Sequence, residues 1–261
     1  MTTLARITGG VDTHKDVHVA AALDQLGRLL GTESFPTTRR GYHQLLEWLR
    51  SHGELVAVGV EGCGSWGAGL SRHLVGEDVD VFEVNRPNRQ ERRRSGKDDP
   101  LDAESAARAV QAGKATALPK SGDGPIEAVR QLRVARNGAI KARTAAANQL
   151  HSMCDTAPDE IRDQLRSLSL RKKVALAERW RPGAGHDLHT VTKHAMRSVA
   201  RRWRALDDEV RDLDAQIKSL LDHLAPALLA IHGVGYETAG QLLVTAGDNP
   251  DRLHNERLIH G

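Results

Sequence analysis

Four carboxylates stand where their chemistry could be shared. Asp12 closes a short apolar run and Glu61 closes another, while Asp99 and Asp102 lie three residues apart. Residues three apart on a helix share a face, so Asp99 and Asp102 can point at one spot. Pro100 suits a first helical position with Asp99 as the cap just outside it. The helix dipole favours anions there, keeping both acids ionised. Four carboxylates buried together without a cation would repel, and some would be forced to protonate. A hard divalent cation removes the conflict: Mg²⁺ takes oxygen ligands and leaves room for phosphate oxygens. Two such ions can stabilise the attacking and leaving oxygens in phosphodiester chemistry. Taken singly, each acid reads more readily as a turn residue, a strand end or a helix cap; only the four together, next to clustered arginines, favour a shared metal site.

The elements that must carry these acids can be read along the chain. Ile7 to Val11, Val17 to Leu23 and Arg28 to Phe35 form a β-meander, with Asp24 to Gly27 as a turn. A helix from Thr37 to Arg50 places Tyr42, Leu45, Leu46 and Leu49 on one stripe. Leu55 to Val60 is a continuous apolar run, as expected of a buried parallel strand. A helix near 65–75 and a strand at Val79 to Val84 complete a βαβ-like unit. The sheet is therefore expected to be mixed, with functional groups at the carboxyl ends of its strands.

Charge adds a partner. The net charge is only +3, but Arg86, Arg89, Arg92, Arg93, Arg94 and Lys97 crowd the approach to Asp99, with Glu91 the one acid among them. Clustered arginines of this kind suit phosphate contacts. Further basic groups fall at Arg171 to Lys173 and Arg201 to Arg204. Cys63 and Cys154 are too few and too distant for a disulfide framework or a zinc site. With no bilayer-spanning apolar run and no signal peptide, the expectation is a cytoplasmic protein.

The second half reads as helical. A long Ala- and Arg-rich pattern runs from Gly124 to about Ala157, and another from Pro158 to about Trp180, broken by Arg181 to Gly185. Met196, Val199, Trp203, Leu206, Val210, Leu213, Ile217, Leu220 and Leu224 then form a heptad seam. That seam requires a partner helix, in the same chain or in a second subunit; a coiled-coil hairpin that also contributes to assembly is expected. After Pro226, Ile231-His-Gly-Val-Gly235 and the following residues suggest a helix-hairpin-helix turn. Gly233 and Gly235 would let backbone N–H groups approach a phosphate. Two features are set aside: His14 and His18 have a helical metal-pair spacing but flank a strand start, and Gly62 to Gly67 lacks the spacing and lysine of a P-loop.

Gly10-Val-Asp-Thr-His-Lys-Asp16, Val58-Gly-Val-Glu-Gly-Cys-Gly64 and Lys97-Asp-Asp-Pro-Leu-Asp-Ala103 resemble the three acidic blocks of the DEDD transposases of bacterial insertion sequences, the insertion-sequence-110 family. The turn at Ile231 to Gly235 is similar to the start of that family's C-terminal domain. The resemblance implies a RuvC-like (ribonuclease H-like) α/β mixed-sheet domain over 1–157, a helical coiled-coil region over 158–227, and a partial α-helical C-terminal transposase domain over 228–261. It implies that Asp12, Glu61, Asp99 and Asp102 bind Mg²⁺. DNA is the implied substrate, a structured non-coding RNA of the element the implied guide, and a dimer or tetramer joined through the coiled coil the implied assembly. Family members also carry a serine nucleophile beyond the helix-hairpin-helix. In this chain the last serine is Ser219. The C-terminal domain is therefore expected to be cut short, and full strand exchange to fail. The competing expectations are a junction-resolving RuvC-like nuclease and a non-catalytic nucleic-acid-binding remnant. A sugar kinase of actin-like fold is disfavoured because Asp12-Thr-His-Lys lacks a phosphate-meeting glycine.

Overall fold

The computed structural model describes residues 5–84 and 99–248. The basic residues Arg86, Arg89, Arg92, Arg93, Arg94 and Lys97 lie outside them. The chain divides into two compact units, one holding the residues up to Gly124 together with those from Thr245, the other running Pro125–Val244.

The first unit is built on a five-stranded sheet. Strands β1 (Arg6–Thr13), β2 (Val17–Leu23), β3 (Leu29–Pro36), β4 (Glu54–Glu61) and β5 (Val81–Val84) lie in the order β3-β2-β1-β4-β5. The first three pair antiparallel, and β4 pairs parallel with both β1 and β5. The mixed sheet expected from the meander and the βαβ pattern is thus present. Asp24 forms the β2–β3 turn by accepting hydrogen bonds from the Leu26 and Arg28 amides.

Helices cover both faces. On one face lie α1 (Arg39–Ser51) and α2 (Ala68–Gly76), whose Leu45, Leu46, Leu49, Leu70 and Leu74 are fully buried against Ile7, Val11, Ala20, Ala22, Val58 and Val60. Thr38 caps α1 by accepting from the Gly41 amide at 3.1 Å. On the other face lies α3 (Asp99–Gln111), whose buried residues are only Ala103, Ala106 and Ala107.

Small residues on both partners explain how closely α3 sits. Gly10 and Gly59 are registered neighbours on β1 and β4. A Cβ at Gly10 would come within 2.2 Å of the Ala103 carbonyl oxygen, and one at Gly59 within 2.7 Å of that of Ala106. The helix backbone therefore rests directly on the strands, as glycine alone permits. This contact fixes where the first turn of α3 ends up.

The second unit is helical, with α4 (Pro125–Asp155), α5 (Asp159–Arg166), α6 (Leu170–Ala177), α7 (Leu188–Leu224), α8 (Pro226–Leu229) and α9 (Tyr236–Ala246). The expected helix over 158–180 is two helices, because Leu165, Leu168, Leu170 and Val174 all turn into one core. The seam on α7 finds its partner in the same chain. Leu150 and Cys154 near the end of α4 pack with Met196 and Val199 near the start of α7, while Val129 packs with Ile217 and Leu221. The two long helices therefore run antiparallel. No described helix is long and apolar enough to cross a membrane.

Candidate metal centre

Side chains alternate across a strand, and this alternation sends two of the four acids to the α3 face. On β1, Ile7, Gly9 and Val11 face α1, leaving Thr8, Gly10 and Asp12 toward α3. On β4, Val58 and Val60 face α1 and α2, leaving Gly59 and Glu61 on the opposite side. Val11 and Val60 are the last registered pair, so Asp12 and Glu61 emerge side by side just beyond it. Thr13 reinforces that register by donating from Oγ1 to the Glu61 carbonyl oxygen at 2.7 Å. Both acids are almost wholly buried, at 1% and 2% exposure.

The other two acids arrive on α3. Asp99 and Asp102 both belong to its first turn, and the Gly10–Gly59 seat brings that turn over the carboxyl ends of β1 and β4. Asp99 is the first described residue of the helix, and both acids lie in its first turn.

The electrostatics report the convergence. Burial raises the pKa of Asp12 above the usual carboxylate value; His14 opposes the rise, and Glu61, Asp102 and Asp99 add to it. The three other acids are thus close enough to make ionisation of Asp12 harder. Its Oδ2 is buried with no hydrogen bond among the described residues, and touches His14 at ion-pair distance only. A buried carboxylate oxygen left without a hydrogen-bond donor, beside further carboxylates, is a donor set that fits a hard divalent cation.

One member was not expected. His14 follows Asp12 by two residues, and its Nε2 lies 3.1 Å from Asp12 Oδ2 and 3.2 Å from Asp99 Oδ2. One donor atom each from Asp12, His14 and Asp99 falls within 4.8 Å of the other two. The rejected His14–His18 pair does not form: His18 points to the other face, fully buried and stacked on Tyr42 with ring centroids 5.7 Å apart. The informative spacing is Asp12-Thr-His14, because residues two apart at a strand end share a face.

The glycine-rich turn after β4 serves the same edge. Gly62 adopts φ 73°, and a Cβ there would lie 3.0 Å from Thr13 Oγ1. The turn therefore carries the chain closely past the β1 end, leaving Trp66 half exposed with its ring 6.4 Å from that of His14. In the second unit, Gly233 has φ 85°, and open space surrounds both Gly233 and Gly235 where a Cβ would point.

A family model described as a transposase, that of the DEDD transposases of the insertion-sequence-110 type, matches residues 9–158. The chain belongs to this family. No curated protein matches it. Membership makes it an insertion-sequence transposase by descent, with DNA as its partner and a divalent metal in its chemistry. The match spans the whole acidic edge of this DEDD domain, from β1 through α3, and continues along α4.

Proposed function

We propose that Asp12, Glu61, Asp99 and Asp102 are the metal-binding and catalytic carboxylates of a DNA transposase or recombinase, with Mg²⁺ as the working ion. The observation that carries this reading is the buried Asp12 carboxylate, whose ionisation is opposed by burial and by the other three acids. When bound, the cation supplies charge stabilisation to a phosphodiester oxygen and its leaving group. Asp12 and Glu61 hold fixed positions because they terminate paired central strands. Asp99 and Asp102 are carried by a helix seated on two glycines, so they too are held without a flexible loop.

Substrate contacts follow from charge. Arg86, Arg89, Arg92, Arg93, Arg94 and Lys97 directly precede α3 in sequence and are assigned to DNA phosphates beside the centre. The open turn at Gly233 and Gly235 leads into α9, whose N-terminus suits a phosphate. Glu237 in its first turn is paired with Arg133 at 2.8 Å and Arg136 at 3.2 Å, which offsets its negative charge there. A structured RNA of the element is the proposed guide, and a homo-oligomer joined through the α4–α7 region the proposed assembly.

The clustering of the four acids also supports a second reading, a RuvC-like nuclease that hydrolyses branched DNA with those acids alone. The test is cleavage of labelled element-end DNA and of a four-way junction in Mg²⁺ or Mn²⁺. Nicking abolished by Asp12→Asn and Glu61→Gln supports the metal centre, and preference for the junction selects the nuclease reading. Joined recombination products would select the recombinase reading. Salt-dependent RNA binding without cleavage in any metal would leave a non-catalytic binding protein.

A further inference from the structure

We propose that His14 is a direct nitrogen ligand of the cation shared by Asp12 and Asp99, giving the centre a mixed nitrogen and oxygen donor set. The inference rests on the reading of those two acids as metal ligands, and it changes which ion the centre prefers.

The spacing of the donor atoms carries the argument. Neighbouring ligands around an octahedral ion with bonds of about 2.1 Å lie about 3.0 Å apart. His14 Nε2 stands 3.1 Å from Asp12 Oδ2 and 3.2 Å from Asp99 Oδ2. These are the separations of adjacent ligands on one ion. The imidazole also reaches the right atom, since Asp12 Oδ2 is the buried carboxylate oxygen that lacks a hydrogen bond among the described residues.

Local structure holds the ring in place. His14 opens the tight β1–β2 connection, donating its backbone N–H to the Val17 carbonyl oxygen at 3.1 Å. Its own carbonyl accepts from the Thr37 hydroxyl at 3.4 Å. The backbone is thus fixed on both sides while the ring faces the acids. Its side chain is 26% exposed, so the ring stands at the mouth of the centre rather than beneath it.

A nitrogen donor has a consequence that carboxylates alone lack. Mg²⁺ favours an all-oxygen shell, whereas imidazole suits transition ions. A centre with His14 in its shell therefore holds Mn²⁺ more tightly relative to Mg²⁺ than four acids would. Mg²⁺ can still be accepted through the carboxylates, with a water where the imidazole would otherwise stand.

The experiment is pulsed electron paramagnetic resonance of Mn²⁺ bound to the full chain, together with Mn²⁺ and Mg²⁺ titrations of wild type and His14→Asn. The expected result is a ¹⁴N modulation on bound Mn²⁺ that vanishes in His14→Asn. Mn²⁺ affinity should fall about tenfold while Mg²⁺ affinity changes far less. Tightly bound Mn²⁺ with no nitrogen modulation in the wild-type protein overturns the inference and leaves the acidic centre standing, whether or not the variant folds. Persistence of the modulation in His14→Asn assigns the nitrogen elsewhere and overturns it too. Failure of wild type to bind either ion overturns the metal centre itself, and this inference with it.

Discussion

At Asp12, burial and the charges of Glu61, Asp102 and Asp99 act together against ionisation. Its pKa is raised by folding from an ordinary value near 3.8, so the native state holds the proton more readily than the unfolded chain. Stability is then lost as pH rises through that range, and at neutral pH the ionised carboxylate opposes folding. Asp12→Asn should therefore raise the stability of the metal-free protein while removing metal binding. Thermal unfolding with and without Mg²⁺ checks both halves; a variant less stable than wild type in chelator would contradict the electrostatic account. His18 behaves in the opposite sense. Burial first, and His14 second, lower its pKa from 6.5 to about 4. The unfolded chain thus takes up the proton first, and stability falls as pH drops from 6.5 toward 4. The loss reaches about 3 kcal/mol at about 1.4 kcal/mol per pH unit. His18→Phe, which keeps the stack on Tyr42, should flatten that part of the profile in urea titrations run across the pH range. The four acids stand out in the sequence because they fall at the carboxyl ends of strands and in the first turn of a helix. His14 does not stand out, because its spacing to His18 suggests a helical pair, and its two-residue spacing to Asp12 counts only once both are placed at a strand end.

Among the elements, α3 matters most for the proposed function, and its position depends on two glycines. Gly10→Ala would drive a methyl into the Ala103 carbonyl and the Ala107 amide, lifting the first turn that carries Asp99 and Asp102. A loss of about 2–3 kcal/mol is expected, with metal affinity falling even where the variant stays folded. Chemical denaturation and calorimetric titration separate the two effects. The long helices carry a different dependence. Asp207 is 2% exposed in the middle of α7 and pairs with Arg143 of α4 at 2.6 Å, and with Arg211. Arg143→Met leaves a buried carboxylate with one partner fewer, and should cost about 2 kcal/mol. Arg143→Met combined with Asp207→Leu should recover most of that loss, which a double-mutant cycle in denaturant would measure. The heptad seam was visible in sequence because apolar spacing repeats. Its partner was not, since the pattern demands a second helix without naming it. Only the complementary positions, Val129 near Ile217 and Leu150 near Met196, identify α4. The sequence also ran α5 and α6 together, because Ser167 to Ser169 carries neither proline nor glycine to mark the turn.

For the whole molecule, the mixed sheet was readable because strand periodicity and the βαβ pattern both survive in the sequence, and the structure returns β1 to β5 close to their expected bounds. Compactness separates the chain at Gly124, whereas the family match continues through α4 to residue 158. Packing of α4 with α7 holds the second compact unit together. The proposed function requires four carboxylates from three elements to act as one divalent-metal centre. Calorimetric titration of Mg²⁺ and Mn²⁺ into the wild-type chain and into Asp12→Asn, Glu61→Gln, Asp99→Asn and Asp102→Asn tests it most directly. Saturable wild-type binding that weakens at least about tenfold in each of the four variants is the predicted result. Wild-type affinity in the Glu61→Gln and Asp102→Asn variants would contradict it, because the centre would then not include those acids.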